Sequence, residues 1–150
     1  LMLGGWQANG AIYAYTGTPI TLTAAGASVN APSNSQTPDQ ILPVVEKLGG
    51  VGPGAPYYDP KAFKAVTDVR FGTSGRNILR RPGIAGLDAS LFRNISLTEK
   101  LKLDIRAEAF NLTNTPQLGQ PNTSVTGSNF MWITSAGGER QIRFGARLAF

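Results

Sequence analysis

Apolar and charged side chains alternate without exception along residues 101–109. Successive side chains of a β-strand point to opposite faces, whereas on a helix the same charges would surround the whole cylinder. The pattern therefore predicts a strand with one apolar and one charged face. Extended to Thr113, this strand reaches the roughly 9–11 residues that a tilted strand needs to cross the hydrocarbon layer of a bilayer. The apolar side chains are Leu101, Leu103, Ile105, Ala107 and Ala109, and the charged ones are Lys102, Asp104, Arg106 and Glu108.

A weaker alternation predicts three further strands, over about 2–16, 86–96 and 140–150. In the last of these, the even positions are apolar and end on an aromatic residue: Ile142, Phe144, Ala146, Leu148 and Phe150. In the stretch 86–96, Leu87 and Leu91 share the apolar face, while Phe92 and Arg93 each break the alternation. The fold expected from these stretches is all-β, with four long antiparallel strands.

The charged face of the 101–109 strand carries side chains of alternating sign. Further charges are expected on the same face of the neighbouring strands, from Asp88, Arg143 and Arg147. Opposite charges that face each other across two strands contribute roughly 0.2–1 kcal/mol each. We therefore expect cross-strand ion pairs on this face. If the face lines a water-filled lumen, these pairs would balance its charge.

The connections between the predicted strands alternate in length, with a long loop over 22–83, a tight turn at Leu97–Lys100, and a second long loop over 114–139. A structureless loop of this length is uncommon in a compact soluble domain. Bacterial outer-membrane barrels, in contrast, combine short periplasmic turns with long extracellular loops. The connections therefore favour four strands from the C-terminal end of a transmembrane β-barrel over a soluble sandwich.

Both long loops contain local signals of structure. Asp39 is expected to begin a helical turn that runs to Leu48, and Asp59 to cap a second turn that starts at Pro60. The apolar segment 130–132 allows two interpretations, either aromatic side chains at a membrane interface or a hydrophobic cluster under the loop.

The composition agrees with a β-rich chain that has long loops. Charged residues make up only 15% of the 150 residues, while 18 are glycine and 10 are proline. No run of 18 apolar residues is present, so no membrane-spanning helix is expected. Histidine and cysteine are absent, which removes the usual general base, the thiol nucleophile and most transition-metal ligands. We therefore expect neither an enzyme nor a bound cofactor or metal.

The net charge of +5 raises the question of a nucleic-acid partner. The arginines are distributed along strands and loops rather than in one basic stripe, so no nucleic-acid partner is expected. One local basic cluster consists of Arg76, Arg80 and Arg81. Guanidinium groups match the geometry of phosphates, so this cluster either contacts lipopolysaccharide or pairs with carboxylates of the loops.

Several segments resemble the C-terminal strands of TonB-dependent receptors, most closely those of the Oar-like group, whose N-terminal domain is carboxypeptidase-regulatory-like. The matching segments are Ser90–Asn94, Leu97–Leu103, Arg106–Asn114 and the glycine- and arginine-rich stretch Gly75–Gly83. The alternating residues Phe144, Ala146, Leu148 and Phe150 are similar to the signal that the outer-membrane assembly machinery recognises.

The resemblance implies a barrel of about 22 strands in the bacterial outer membrane, of which this chain would supply the last four. Receptors of this family take up scarce substrates with energy from the inner-membrane TonB complex. Four strands without a plug domain are not expected to transport anything on their own. The start at Leu1 also favours a piece of a longer precursor.

Two interpretations of the chain remain open. In the first, it is a wall-forming segment of the receptor, and its partner is the rest of the parent barrel. In the second, it is a processed extracellular fragment that self-assembles by strand addition into a filament or a similar assembly. In both cases the apolar face must contact lipid or another protein copy. This face carries Leu87, Leu91, Leu101, Leu103, Ile105, Ala107, Ala109 and Ile142.

Overall fold

The computed structural model describes residues 4–31 and 33–150. In chain order its strands are β1 (Trp6–Tyr15), β2 (Pro19–Ile20), β3 (Ala24–Ala25), β4 (Ser35–Gln36), β5 (Asp39–Gln40), β6 (Phe63–Lys64), β7 (Leu79–Arg80), β8 (Ile84–Ser96), β9 (Lys102–Phe110), β10 (Gln117–Leu118), β11 (Ala136–Gly137) and β12 (Gln141–Ala149). Short 3-10 helices cover Gly26–Val29 and Pro60–Ala62. Across these described ranges, no helix is long and apolar enough to cross a bilayer.

The long strands form one antiparallel sheet in the order β1-β8-β9-β12. In its register, Leu91 lies between Ala8 and Ala107, and Ala107 lies opposite Phe144. Directly opposed residues of antiparallel strands have neighbouring side chains on the same face. The prediction of an all-β chain with four long antiparallel strands is confirmed.

The ends of all four long strands differ from the predicted ranges. The predicted start at residue 2 lies outside the described residues, and β1 begins at Trp6 after a bend at Gly4 and Gly5. Strand β8 begins two residues earlier than predicted because Ile84 and Ala85 continue its pairing with β1. Strand β12 covers all of the predicted 140–150 range except its first and last residues.

Strand β9 ends at Phe110 instead of continuing to Thr113 as predicted. The next residue, Asn111, adopts a left-handed backbone conformation with φ of 50°, which an asparagine tolerates better than most residues. Its backbone N–H donates to the Asp88 carboxylate at 2.8 Å, and its side-chain amide donates to the carbonyls of Thr115 and Gly138. Asn111 therefore terminates the strand through contacts with three separate segments.

The chain divides into two compact units. The sheet unit consists of Leu1–Tyr15, Ile84–Gln117 and Gly137–Phe150, and it contains the four long strands. The loop unit consists of Thr16–Gly83 and Leu118–Ala136, which together include most of the two predicted long loops.

The loop unit has a hydrophobic core of its own. Leu22, Met131 and Ile133 are fully buried in it, and the rings of Phe63 and Phe130 meet edge to face at 6.3 Å. The remaining buried members of the core are Ile20, Tyr57, Tyr58, Ala62 and Leu79. The two long connections are therefore packed together rather than structureless. Because Phe130 and Met131 are buried, the hydrophobic-cluster interpretation of the segment 130–132 is the one that holds for these two residues.

One of the two predicted helical turns is present. The Asp59 carboxylate accepts a hydrogen bond from the Lys61 backbone N–H at 2.9 Å and caps the 3-10 helix that starts at Pro60. The turn predicted from Asp39 to Leu48 was wrong, because Asp39 lies in β5 and pairs with β6.

Asp39 instead forms a two-pronged ion pair with Arg70, which we call the loop clasp. Two guanidinium nitrogens of Arg70 donate to the two carboxylate oxygens of Asp39, each at 2.7 Å. The Thr73 backbone N–H donates to the same carboxylate at 3.1 Å. These contacts, led by the hydrogen bond from Arg70, lower the pKa of Asp39 from 3.8 to about 2. The clasp connects residues 31 positions apart in the sequence. It therefore holds two distant segments of the loop unit together.

The loop clasp predicts a specific acid sensitivity of the loop unit. Because the folded pKa of Asp39 is about 2 against an ordinary 3.8, its stabilising contribution is complete above the ordinary value and is lost as the pH falls through the folded value. Asp39→Asn removes the charged pair, so the variant should be less stable at neutral pH and should approach the wild type near pH 2. Amide hydrogen exchange of residues 16–83 and 118–136 at increasing urea concentration, followed across this pH range in the complete protein, measures this difference.

A matched control is Asp68→Asn. Asp68 contacts Arg70 at 3.3 Å, but its side chain is mostly exposed, and an exposed ion pair contributes little. If Asp68→Asn and Asp39→Asn changed the pH profile equally, the loop clasp would not be the source of the acid sensitivity.

Candidate functional site on the two faces of the sheet

One face of the sheet is apolar along all four long strands. The register aligns Ile142 with Ala109, Phe144 with Ala107, Ala146 with Ile105 and Leu148 with Leu103. Leu91 and Leu87 extend the same face onto β8, next to Ala8 and Ile12 of β1. The face is open within the chain, since Ile12 is 86% and Phe144 82% exposed.

Two residues of the predicted apolar set lie outside the strands. Leu101 belongs to the turn that precedes β9, where its carbonyl accepts hydrogen bonds from the N–H groups of Leu97 and Thr98. Phe150 follows the end of β12, and its side chain is fully exposed. At the start of β9 and at the end of β12, the alternation of apolar and polar residues continues one residue beyond the hydrogen-bonded strand.

Arg93, which broke the predicted alternation, lies on the apolar face opposite Trp6. Its guanidinium group stacks over the Trp6 ring at 5.0 Å from the ring centroid. A cation over the face of an indole ring is stabilised by the quadrupole of the ring. The exception in the sequence therefore has a partner on the neighbouring strand, which the sequence alone did not indicate.

The opposite face carries the predicted charged set, which comprises Asp88, Lys102, Asp104, Arg106, Glu108, Arg143 and Arg147. We call this surface the polar face. The register places Asp104 opposite Arg147 and Glu108 opposite Arg143. The expected ion pairs are not formed. Within residues 4–31 and 33–150, the ion pairs are those of Arg70 with Asp39 and Asp68.

Other polar and aromatic groups take the places of the expected ion partners. Asp104 accepts a hydrogen bond from the side-chain amide of Asn94, and Asp88 accepts one from the Asn111 backbone. The guanidinium group of Arg143 stacks over the Phe110 ring at 5.0 Å. The polar face is therefore ordered mainly by hydrogen bonds and stacking, and several of its charges remain exposed.

Two long side chains on the polar face lie flat over glycines. Tyr13 of β1 covers Gly86 of β8 so closely that a Cβ at Gly86 would collide with the Tyr13 ring. Arg106 of β9 covers Gly145 of β12 in the same way, with its Nε 2.7 Å from the position of a Gly145 Cβ. Glycine inside a strand is the sequence signal for such a close approach, although the covering side chain could not be identified from the sequence.

Two arginines of the basic cluster donate hydrogen bonds to backbone carbonyls of the loop unit. Arg80 donates from Nη1 to the Gly17 carbonyl at 3.0 Å, and the Arg81 backbone N–H donates to the Thr18 carbonyl at 3.1 Å. No pairing with loop carboxylates is found for these arginines in the described part of the chain. No group of three or more acidic side chains that could hold a metal ion occurs there either.

The family comparison agrees with this two-faced sheet. A family model described as "Outer membrane beta barrel domain" matches residues 1–143. The chain belongs to this family. No match was found among curated proteins or among solved structures.

Membership of the outer membrane beta-barrel domain family indicates which structure and which membrane the sheet belongs to. The chain is a segment of an outer-membrane barrel, and the expected location in the bacterial outer membrane is supported. The family match includes β1, β8, β9 and the first residues of β12. The residues assigned to an assembly signal, Phe144, Ala146, Leu148 and Phe150, lie beyond it.

Proposed function

We propose that this chain forms the C-terminal part of the barrel wall of a TonB-dependent receptor. The observation that carries the proposal is the division of one sheet into an exposed apolar face and a polar face with seven charged residues. A barrel wall requires this division because lipid lies outside and water lies inside. The resemblance of Ser90–Asn94 and Arg106–Asn114 to receptor strands selects this class among outer-membrane barrels.

The proposed partners follow from the edges of the sheet. Strands β1 and β12 are the two edge strands, and edge strands with unsatisfied N–H and C=O groups do not persist in lipid. The remaining strands of the parent barrel would pair with both edges. The exposed Phe150, with Phe144, Ala146 and Leu148, would be recognised by the outer-membrane assembly machinery. Arg76, which is exposed in the loop unit, is the member of the basic cluster that we propose to contact lipopolysaccharide.

The wall segment would have no enzymatic activity and no cofactor, and transport would require the complete receptor. In this role the apolar side chains of β8, β9 and β12 contact lipid, and the polar face lines the lumen. The loop unit would lie outside the cell, since outer-membrane barrels place their long connections there.

One observation favours a second function. The same two edges and the same exposed apolar face would drive a free fragment of this size to polymerise by strand addition. In that extracellular assembly, Leu103, Ile105 and Phe144 would pack against another copy of the chain instead of lipid.

Intact-mass measurement of the native protein separates the two functions. A peptide antibody against the loop unit would isolate it from an outer-membrane fraction and from a fraction sheared off the cell surface. We expect a membrane species much larger than 15.9 kDa, with a cross-link between its N-terminal region and the periplasmic domain of TonB. A species near 15.9 kDa in the sheared fraction would support the filament. A large barrel without any TonB cross-link would contradict the receptor assignment while leaving the barrel intact.

A further inference from the structure

Arg106 occupies an unusual position on the polar face. It lies opposite Gly145 in the β9–β12 register, and its Cγ and Nε lie 3.1 and 2.7 Å from the position that a Gly145 Cβ would take. The aliphatic part of Arg106 therefore rests on the backbone of β12, because no side chain at position 145 prevents it. Its guanidinium group is carried towards strand β12 instead of standing above its own strand.

Arg147 is a second arginine close to this position on the polar face. It is two residues from Gly145 on β12, which makes it a diagonal neighbour of Arg106. Diagonal neighbours on one sheet face have Cα atoms roughly 7–8 Å apart, within reach of long side chains. Both arginines are exposed, and neither forms an ion pair with a described residue.

These two arginines line a hollow of about 500 Å³ on the sheet unit, which is within the size range of small-molecule sites. Phe92 and Asn94 contribute an apolar and an amide group from β8, and Gln7 contributes a second amide from β1. Arg93 also belongs to the lining, but its guanidinium group stacks over Trp6 on the apolar face. The polar face thus offers the hollow two cations, two amides and one aromatic ring.

The one carboxylate that lines the hollow is Asp104. It lies opposite Arg147 in the register, yet it accepts its hydrogen bond from Asn94 and forms no ion pair in the described part of the chain. Glu108 lies further along β9, opposite Arg143, and is not part of the lining. Among the side chains of the polar face, two guanidinium groups therefore share the hollow with a single carboxylate, which leaves one positive charge in excess.

We propose that this hollow binds an oxyanion that carries at least two negative charges, with Arg106 and Arg147 as its ligands. Each guanidinium group can hold a carboxylate or a phosphate through two parallel hydrogen bonds. Phe92 would pack against an apolar part of the ligand, and the amides of Gln7 and Asn94 would donate to its remaining oxygens. The site requires only the register of the sheet, so it is independent of the receptor assignment.

Isothermal titration calorimetry tests the site on the complete protein purified in detergent. Citrate and inorganic pyrophosphate serve as separate probes, because the first presents carboxylates and the second phosphates. We expect saturable binding of at least one of them, and which one binds assigns the chemical class of the ligand. Arg106→Gln and Arg147→Gln should each weaken binding by about tenfold, the typical loss for one charge-assisted contact. Arg147→Lys should weaken it less, because it keeps the charge.

Two further variants separate a built site from general attraction between charges. Arg140→Gln removes an exposed arginine next to β12 that does not line the hollow, and it should leave binding unchanged. Gly145→Ala keeps every charge but displaces Arg106, so it should weaken binding. Heat-dependent migration in electrophoresis shows that each variant is folded. Absence of saturable binding with both probes, or an equal loss in Arg140→Gln and Arg106→Gln, would overturn the proposal.

Discussion

Replacing Leu91 by arginine is expected to destabilise the barrel by about 2–4 kcal/mol, the usual cost of a cation on the lipid face near the bilayer midplane. Leu91 lies in the middle row of the apolar face, between Ala8 and Ala107. An arginine at this position would have to place its charge in hydrocarbon or distort the sheet. The free energy of unfolding of the parent barrel in phospholipid vesicles, measured by guanidinium titration, gives the size of this effect.

The matched control introduces the same residue one position earlier on the same strand. Ser90 lies on the polar face between Asn9 and Glu108, so Ser90→Arg gains an opposite charge across the strands and should change the stability by no more than about 0.5 kcal/mol. Equal destabilisation at positions 90 and 91 would contradict the division of the sheet into a lipid face and a lumen face.

Replacing Leu22 by alanine is expected to destabilise the loop unit by about 2–5 kcal/mol. Leu22 has no exposed surface and belongs to the core that also contains Met131 and Ile133. Its truncation leaves a cavity in a close-packed interior, and the surrounding side chains recover only part of the lost contacts. Amide hydrogen exchange of residues 16–83 and 118–136 at increasing urea concentration measures the loop unit separately from the sheet in the complete protein.

The control for this variant is Val69→Ala in the same unit. Val69 is 89% exposed, so the loss of its methyl groups should change the stability by no more than about 0.5 kcal/mol. If Leu22→Ala also stayed within that limit, the buried cluster would not be what holds the two long connections together.

The location of the loop core could not be predicted from the sequence. Its residues come from short segments near positions 20, 60, 79 and 131, and each segment contributes too few apolar residues to establish a long strand or helix. Asp39 illustrates the same difficulty. Its local sequence favours a helical turn, but the carboxylate binds Arg70, which is 31 residues away. Such long-range partners depend on how the chain is folded back on itself.

On the polar face, the sequence was sufficient to identify the charged residues but insufficient to predict their contacts. The period of two places Asp104 and Arg147 on one face, yet the actual partner of Asp104 is Asn94. Arg106 is directed over Gly145 because the register happens to bring a residue without a side chain opposite it. A one-residue change of register would have placed every side chain on the other face.

The alternation of apolar and polar residues is sufficient to establish that the chain is all-β, that four strands are long, and which side chains share each face, because the two-residue period of a strand is a local property. The packing of the long connections into one unit, the partners of the charged groups, and the hollow that Arg106 and Arg147 both line are visible only in the folded chain. These features depend on contacts between residues far apart in the chain, and such contacts exist only once the strand register and the loop core have formed.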